Sequence, residues 1–291
     1  MNIQMINSAT AVIDGVEHFD LVHTFDCGQC FRWAKNDDGS YSGVACSKAV
    51  RMNLNNNKLT IYNTCFDDVE SIWLNYLDLK RDYKSIKDMY ANDKYVSKAI
   101  KFGYGIHILN QEVFECIISF IISSQNQIPR IKKIVARLSE MYGKKCTLDA
   151  ETLYTFPALS DLEGIECGDL DPLKAGYRAP YIVDAVHKLS SGEVDLGSLK
   201  EMPYPDAKKE LMKIKGVGPK VADCILLFSL GKTEAFPIDV WVQRTMRSLY
   251  LGENATNKEI ELKAGELFGM YAGFAQQYLF YYARENGGFS K

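Results

Sequence analysis

Residues 211–230 read LMKIKGVGPKVADCILLFSL. Apolar residues recur at helical spacing on both sides of Gly216 and Gly218, which predicts two helices joined by a very tight turn. Glycine tolerates the backbone angles that such a turn needs. Pro219 suits the first turn of a helix, where its missing N–H costs no hydrogen bond. The stretch therefore predicts a helical hairpin.

The start of the second helix of this hairpin is suited to binding an anion. Backbone amides at a helix N-terminus are unpaired and carry partial positive charge. We expect the amides around Gly216, Val217, Gly218 and Lys220 to contact a phosphate group. Residues 206–220 also hold five lysines against two acidic residues, although the net charge of the whole chain is −3. A local basic face can bind phosphates on an acidic protein.

Two reactive side chains follow the hairpin turn. Lys220 comes directly after it, and Asp239 lies nineteen residues further on, before another helical pattern. A lysine amine becomes a nucleophile when it is neutral, and burial or neighbouring charges favour the neutral form. A carboxylate can stabilise a developing positive charge and can orient or deprotonate the amine. The alternative is a solvated lysine and an aspartate that only caps a helix.

The composition indicates a soluble globular protein. The chain has 291 residues, of which 47% are hydrophobic and 24% charged, and this length allows two domains with hydrophobic cores. No uninterrupted apolar run approaches the roughly 20 residues of a membrane span, and the N-terminus lacks the pattern of a signal peptide. A cytoplasmic location is the default expectation.

Eight cysteines are scattered along the chain, and we expect them to be reduced thiols. Cys27 and Cys30 form a C-x-x-C motif, which raises the alternatives of a zinc site or a redox site. A zinc site would need two further ligands, and no second C-x-x-C or paired histidine occurs at suitable spacing. We therefore expect no metal at this motif.

The order of patterns predicts an α+β fold with an antiparallel sheet at the N-terminus. Turn-forming residues separate segments rich in aromatic and β-branched residues. From Asp67 the apolar spacing becomes helical. The predicted strands are Phe25–Lys35, Tyr41–Cys46, Ala49–Leu54 and Leu59–Tyr62, and the predicted helices include two in 110–142 and others at 239–250, 257–268 and 273–284.

Five separated segments resemble the 8-oxoguanine DNA glycosylase/lyase family, which belongs to the helix-hairpin-helix (HhH-GPD) DNA glycosylases. The resemblance covers nearly the whole chain and suggests a bacterial member. The segments are 28–33 (GQCFRW), 123–130 (SSQNQIPR), 176–178 (GYR), the hairpin with 220–224 (KVADC) and Asp239, and 273–276 (GFAQ) with Phe280. Each segment is weak evidence alone, but all five in order are specific.

The resemblance implies the roles of the catalytic residues and of a pocket for an extruded base. Lys220 would attack the sugar at C1′ and form a Schiff base, and Asp239 would assist. The Gly28 carbonyl would accept a hydrogen bond from N7–H, which 8-oxoguanine has and guanine lacks. Gln276 would pair with the Watson–Crick edge of the base, while Phe280 and Cys224 would cover its two faces.

The resemblance also implies a second group of residues that contact the opposite strand. Arg130 and Arg178 match arginines that read the unpaired cytosine, and Tyr177 matches a wedge beside the gap. Gln125 and Asn126 stand where eukaryotic members typically carry consecutive asparagines, so a gap-filling role for Gln125 is a departure. In addition, Trp241 replaces a histidine that contacts a flanking phosphate in those members.

The resemblance further implies a β-rich domain at 1–108, similar to the TATA-binding protein, and a helical glycosylase domain at 109–291 with its hairpin near 211–230. The expected partner is double-stranded DNA containing 8-oxoguanine. The protein is expected to be a monomer that needs no cofactor, and the resemblance leaves open whether a cation binds at the hairpin carbonyls. Two alternatives are a related glycosylase for alkylated bases and a non-catalytic DNA-binding module.

Overall fold

A six-stranded antiparallel sheet precedes a helical body in this computed structural model, which describes residues 1–289. The strands lie in the order β1-β2-β6-β5-β4-β3, and every neighbouring pair is antiparallel. A separate hairpin, β7 with β8, lies in the second half of the chain. The strands are β1 (Asn2–Asn7), β2 (Thr10–Asp14), β3 (Trp33–Lys35), β4 (Tyr41–Ala45), β5 (Lys48–Asn55), β6 (Lys58–Tyr62), β7 (Lys145–Leu148) and β8 (Glu151–Tyr154).

Fourteen α-helical segments occur within residues 1–289. Two π-helical segments, Val69–Trp73 and Arg247–Leu251, extend α3 at its start and α12 at its end. The helices are α1 (Leu21–Phe25), α2 (Phe66–Asp68), α3 (Leu74–Tyr76), α4 (Tyr83–Met89), α5 (Lys94–Phe102), α6 (Val113–Ser123), α7 (Ile128–Tyr142), α8 (Ala179–Ser190), α9 (Leu196–Leu199), α10 (Tyr204–Leu211), α11 (Pro219–Ser229), α12 (Val240–Met246), α13 (Asn257–Phe268) and α14 (Ala272–Asn286). The predicted α+β class is confirmed.

The predicted strand Phe25–Lys35 is wrong over most of its length. Asp20 caps α1 by accepting a hydrogen bond from the His23 amide at 2.8 Å, so Phe25 ends a short helix. Residues 26–32 form an irregular loop, and only the last three predicted residues form β3. Strands β1 and β2 lie outside the four predicted strands; β1 is an exposed edge strand, and β2 buries only Ala11 and Ile13.

The helical core is built around α6. Residues 116–122 of this helix are all buried, as expected for a central core helix. On its neighbour α11, Phe228 stacks with Phe120, with ring centres 5.6 Å apart. The irregular loop that follows α1 inserts Cys27 and Phe31 into the same core, so a segment of the sheet half reaches the helical half. In the described part of the chain, no helix is long and apolar enough to cross a membrane.

Candidate active site

The predicted helical hairpin is present, formed by α10 and α11. Gly216 occupies the turn at φ +83°, and a Cβ there would come within 2.5 Å of the Tyr181 ring. Only glycine fits this combination of backbone angle and close packing. Pro219 is the first residue of α11, as its sequence position predicted.

One expected phosphate contact at the hairpin is not available. The Val217 amide donates to the Ile214 carbonyl at 3.0 Å, so this N–H is already used within the turn. Pro219 has no N–H to offer. The expectation for Val217 is therefore corrected, and the amides of Gly218 and Lys220 are the ones left at the start of α11.

A single pocket gathers the residues that the sequence predicted for catalysis and for the lesion base. It encloses about 320 Å³ of empty space including its mouth. Its walls come from the loop after α1 and from α6, α11, the residues before α12, and α14. The lining residues are Gly28, Phe120, Lys220, Cys224, Phe228, Pro237, Asp239, Gln276, Gln277 and Phe280.

Lys220 lies half-buried on the pocket wall formed by α11. Its Nζ is 5.3 Å from the centre of the Phe120 ring, within range of a cation–π interaction. Cys224 lies one helical turn further along α11. Burial raises the pKa of the Cys224 thiol to about 11, although the charge of Lys220 opposes the shift. Cys224 is therefore a neutral, soft surface at physiological pH.

Asp239 both caps α12 and faces the pocket. Its Oδ1 accepts a hydrogen bond from the Val242 amide at 2.8 Å, which is standard N-cap geometry. Burial raises the pKa of Asp239, and the Val242 amide and the charge of Lys220 partly oppose this shift. Asp239 forms no salt bridge within residues 1–289, although both Asp239 and Lys220 line the pocket.

Gln276 presents an unsatisfied polar group. The side chain is 3% exposed, and its Oε1 has no hydrogen-bond partner in the part of the chain that the structure describes. Buried amide oxygens are normally paired, because an unpaired one costs about 1–3 kcal/mol. An orphan acceptor beside a pocket is expected where a ligand supplies the missing donor.

Gly28 and Phe280 meet on the opposite wall. Gly28 has φ +90°, and a Cβ on this residue would lie 3.3 Å from Phe280 Cε1 and 2.9 Å from Arg284 Nη1. The absence of a side chain at Gly28 therefore leaves room for Arg284 and the Phe280 ring, and the close approach of this backbone to the lesion base stays a prediction. Phe280 is half-buried, with one side of its ring available to the pocket.

Four pocket residues were not singled out from the sequence. Phe120 and Phe228 looked like ordinary core residues because they lie in strongly apolar helices. Phe228 follows Cys224 by four residues and Lys220 by eight, so helical spacing could have placed it on the same face. Pro237 precedes Asp239 in the same loop, and Gln277 adjoins Gln276 on α14.

The residues expected to contact the opposite strand cluster outside this pocket, around the loop between α6 and α7. Gln125 is exposed in this loop with φ +48°. Tyr177 is 51% exposed, and its hydroxyl donates to the Ser124 carbonyl at 3.0 Å. Asn126 bonds back to the Ile122 carbonyl at 3.1 Å. The loop is therefore ordered by local hydrogen bonds and by Tyr177.

The two arginines of this cluster differ in their exposure and in their hydrogen bonds. Arg178 is 3% exposed, and its guanidinium donates to the carbonyls of Ser124, Gln125 and Ala175. These donors are used inside the protein in this conformation, and the contact of Arg178 with the unpaired base stays a prediction. Arg130 is exposed and makes one long bond, 3.4 Å, to the Lys174 carbonyl.

The C-x-x-C motif is buried, and its thiols remain protonated. Burial raises the pKa of Cys27 to about 11 and that of Cys30 well above its usual value. Neutral thiols in an apolar core are poor metal ligands. No group of three or more histidine, cysteine, aspartate or glutamate side chains is arranged to hold a metal ion within residues 1–289.

Comparisons with known proteins agree with this architecture. A family model for the N-terminal domain of 8-oxoguanine DNA glycosylase matches residues 12–117, and a model for the HhH-GPD superfamily of base excision DNA repair proteins matches residues 118–270. A probable N-glycosylase/DNA lyase of Methanothermobacter thermautotrophicus is 33% identical, covering 94% of this chain and 96% of that protein. The N-glycosylase/DNA lyase of Arabidopsis thaliana is 32% identical over 88% of this chain and 75% of its own length.

A solved structure provides the same comparison in three dimensions. The 8-oxoguanine glycosylase/lyase of Clostridium acetobutylicum, in complex with double-stranded DNA that contains cytosine opposite 8-oxoguanine, is 42% identical and has a TM-score of 0.95. The alignment covers 99% of this chain and all of that one. The helical hairpin and its pocket define a base excision DNA repair protein. The chain belongs to the HhH-GPD superfamily and, within it, to the 8-oxoguanine DNA glycosylase family.

Proposed function

We propose that this protein is a bifunctional DNA glycosylase and β-lyase that removes 8-oxoguanine, preferentially opposite cytosine, from double-stranded DNA. The observation that carries the proposal is the single pocket shared by Lys220, Asp239, Gly28, Gln276 and Phe280. Excision of an extruded oxidised purine needs a nucleophile and a carboxylate at the sugar. It also needs groups that recognise the base, and here these are a backbone segment, an unpaired amide and an aromatic ring.

In the glycosylase step, the neutral Nζ of Lys220 bonds to C1′ of the extruded nucleotide. The bond from C1′ to the base nitrogen breaks, and the base leaves with the bonding electrons and takes up a proton. The ionised carboxylate of Asp239 stabilises the positive charge that develops on the sugar. Lys220 is half-buried on the wall of the pocket, where its Nζ lies 5.3 Å from the centre of the Phe120 ring.

The lyase step follows from the covalent intermediate. Opening of the sugar ring breaks the bond from C1′ to the ring oxygen, which takes up a proton, while the nitrogen lone pair of Lys220 forms the C=N bond of a Schiff base with C1′. A base, such as water, then removes a proton from C2′. The electrons of that C–H bond form a double bond between C2′ and C3′ as the C3′–O bond breaks and the 3′ phosphate leaves, which cleaves the strand. These steps use only protein groups and water, so the proposal requires no cofactor. A cation at the hairpin carbonyls stays a prediction.

The base is selected by the wall opposite Lys220. The Gly28 carbonyl accepts the N7–H of 8-oxoguanine, whereas guanine would present an unprotonated N7 to the same oxygen. A site built around one hydrogen bond rejects the analogue that lacks it, because a buried acceptor is then left unpaired. Gln276 pairs with the Watson–Crick edge, and Phe280 and Cys224 cover the faces.

The opposite-strand cluster gives the preference for cytosine. Arg130 is exposed and has donors available for the acceptors of cytosine. Tyr177 is exposed beside it and serves as the wedge, while Arg178 braces the Ser124–Gln125 loop. We also propose that the protein is a cytoplasmic monomer with its domains at 1–108 and 109–291.

A single-turnover assay tests the proposal by following base release and strand cleavage separately on an 8-oxoguanine·cytosine duplex. We expect wild-type protein to perform both steps and Lys220→Gln to lose both. Lys258→Gln, an exposed lysine on α13, is the matched control and should keep both activities. Release of 3-methyladenine in preference to 8-oxoguanine, or DNA binding without release of any base, would contradict the proposal.

A further inference from the structure

The loop that carries Gly28 is held by side chains from other elements. The carbonyl of Asp26 accepts a hydrogen bond from Arg284 Nη2 at 2.6 Å, and the carbonyl of Cys27 accepts one from Gln277 Nε2 at 3.0 Å. On the other side of Gly28, the Gln29 carbonyl accepts a bond from Gln111 Nε2 at 2.8 Å. The peptide groups on both sides of Gly28 are therefore fixed, although the loop has no regular secondary structure.

Two of these three donors lie on α14, the helix that also provides Gln276 and Phe280. Gln277 is 2% exposed, so its bond to Cys27 is protected from water. The Arg284 guanidinium lies 5.4 Å from the centre of the Phe280 ring while it bonds the Asp26 carbonyl. One side chain thus contacts both the loop that reads the lesion and the ring that stacks on it.

Arg284 also fills the space behind Gly28. Its Nη1 is buried, has no hydrogen-bond partner within residues 1–289, and lies 2.9 Å from where a Cβ of Gly28 would be. Leaving a guanidinium nitrogen unpaired is costly, so stability alone does not explain this arrangement. The side chain is held against the loop by its other two nitrogens, which bond Asp26 and Glu285.

We propose that Arg284, together with Gln277, is a positioning residue that sets the distance between the Gly28 carbonyl and the Phe280 ring, and so determines recognition of 8-oxoguanine. This inference rests on the proposed function. It extends that function because neither residue touches the sugar, and their effect should be confined to base recognition. Displacement of a recognition group by about 1 Å can cost up to ~100-fold in rate.

The test compares two substrates that differ in their need for base recognition. One is an 8-oxoguanine·cytosine duplex, and the other is a duplex with a preformed abasic site, which needs Lys220 but no recognition of a base. For Arg284→Met we expect excision of 8-oxoguanine to slow at least tenfold and cleavage at the abasic site to stay within about twofold. Gln277→Leu should show the same selective loss.

Arg247→Met is the matched control. Arg247 also donates to a backbone carbonyl, that of Ala255 at 2.8 Å, but it does not line the pocket. Both activities should be unchanged in this variant. If Arg284→Met does not fold, Arg284→Lys provides the same comparison with a smaller change. Equal loss on both substrates, or no loss on either, would overturn the proposal.

A second readout separates this inference from the proposed function. Hydrogen exchange of the free protein reports the loop directly, because it needs no substrate. We expect the amides of residues 26–29 to exchange faster in Arg284→Met than in wild type. Unchanged exchange would show that Arg284 does not hold this loop in place, and would refute the inference. Wild-type protein that cleaves abasic DNA but releases no 8-oxoguanine would instead refute the proposed function.

Discussion

Substitution of Asp239 by asparagine should separate catalysis from stability. Asparagine is as good an N-cap as aspartate, so the bond to the Val242 amide should survive. The charge is lost, however. Two unit charges about 4 Å apart interact by about 4 kcal/mol at an effective dielectric constant of ~20. Because the sugar carries only part of a unit charge, we expect a loss of about 3 kcal/mol, or roughly a hundredfold in base release.

The same substitution should leave the protein as stable as wild type or slightly more stable. Burial raises the pKa of Asp239 in the folded state. A raised pKa stabilises the fold below the unfolded-state pKa, and this contribution disappears as the pH rises through the folded-state pKa. At pH 7 the ionised carboxylate is therefore a net cost that asparagine removes. We expect the melting temperature to be unchanged or up to about 3 °C higher.

The assay measures single-turnover base release and thermal unfolding on the same protein samples. Asp82→Asn is the matched control, because Asp82 also caps a helix, through the Ser85 amide at 3.0 Å, but is exposed and far from the pocket lining. It should retain full activity. Base release by Asp239→Asn within threefold of wild type would refute the electrostatic role. A large drop in its melting temperature would refute the stability argument.

Three further predictions follow from the contacts of single side chains. Gln276→Leu removes a buried unpaired acceptor, so we expect unchanged or higher thermal stability together with weaker binding of 8-oxoguanine DNA, measured by titration. Arg130→Ala should raise cleavage opposite adenine relative to cytosine. Arg178→Ala should instead lower the melting temperature, because it removes the hydrogen bonds from a buried guanidinium to the carbonyls of Ser124, Gln125 and Ala175. Lys208→Met leaves the buried Asp223 carboxylate without the ammonium that contacts it at 3.0 Å, so chemical denaturation at pH 7 should show a loss of about 1–3 kcal/mol.

Much of the fold was predictable because its signals are local. The hairpin at 211–230 depends on one tight turn, and Gly216 and Pro219 specify it. Long helices with a consistent apolar face, such as α7 and α13, were also found from spacing. The loop after α1 was not, because its conformation is imposed by distant donors such as Gln111 and Arg284.

The residues of the candidate site also fall into two groups, those that sequence motifs identify and those that only the packing of the fold brings to the pocket. The sequence motifs identified Lys220 and Asp239, and the fold places both on the lining of one pocket. Aromatic walls such as Phe120 could not be distinguished from ordinary core residues, since only the packing of α6 on α11 exposes them to a cavity. The state of Arg178 was also beyond the sequence, because its partners are backbone carbonyls of another loop.

The central claim is that the amine of Lys220 becomes covalently attached to the sugar of the damaged nucleotide. Borohydride reduction during the reaction with an 8-oxoguanine·cytosine duplex, followed by proteolysis and mass spectrometry, locates that bond. The account predicts a trapped adduct on the peptide that contains Lys220, and none in Lys220→Gln. A trapped adduct on another lysine, or base release without any adduct, would contradict it.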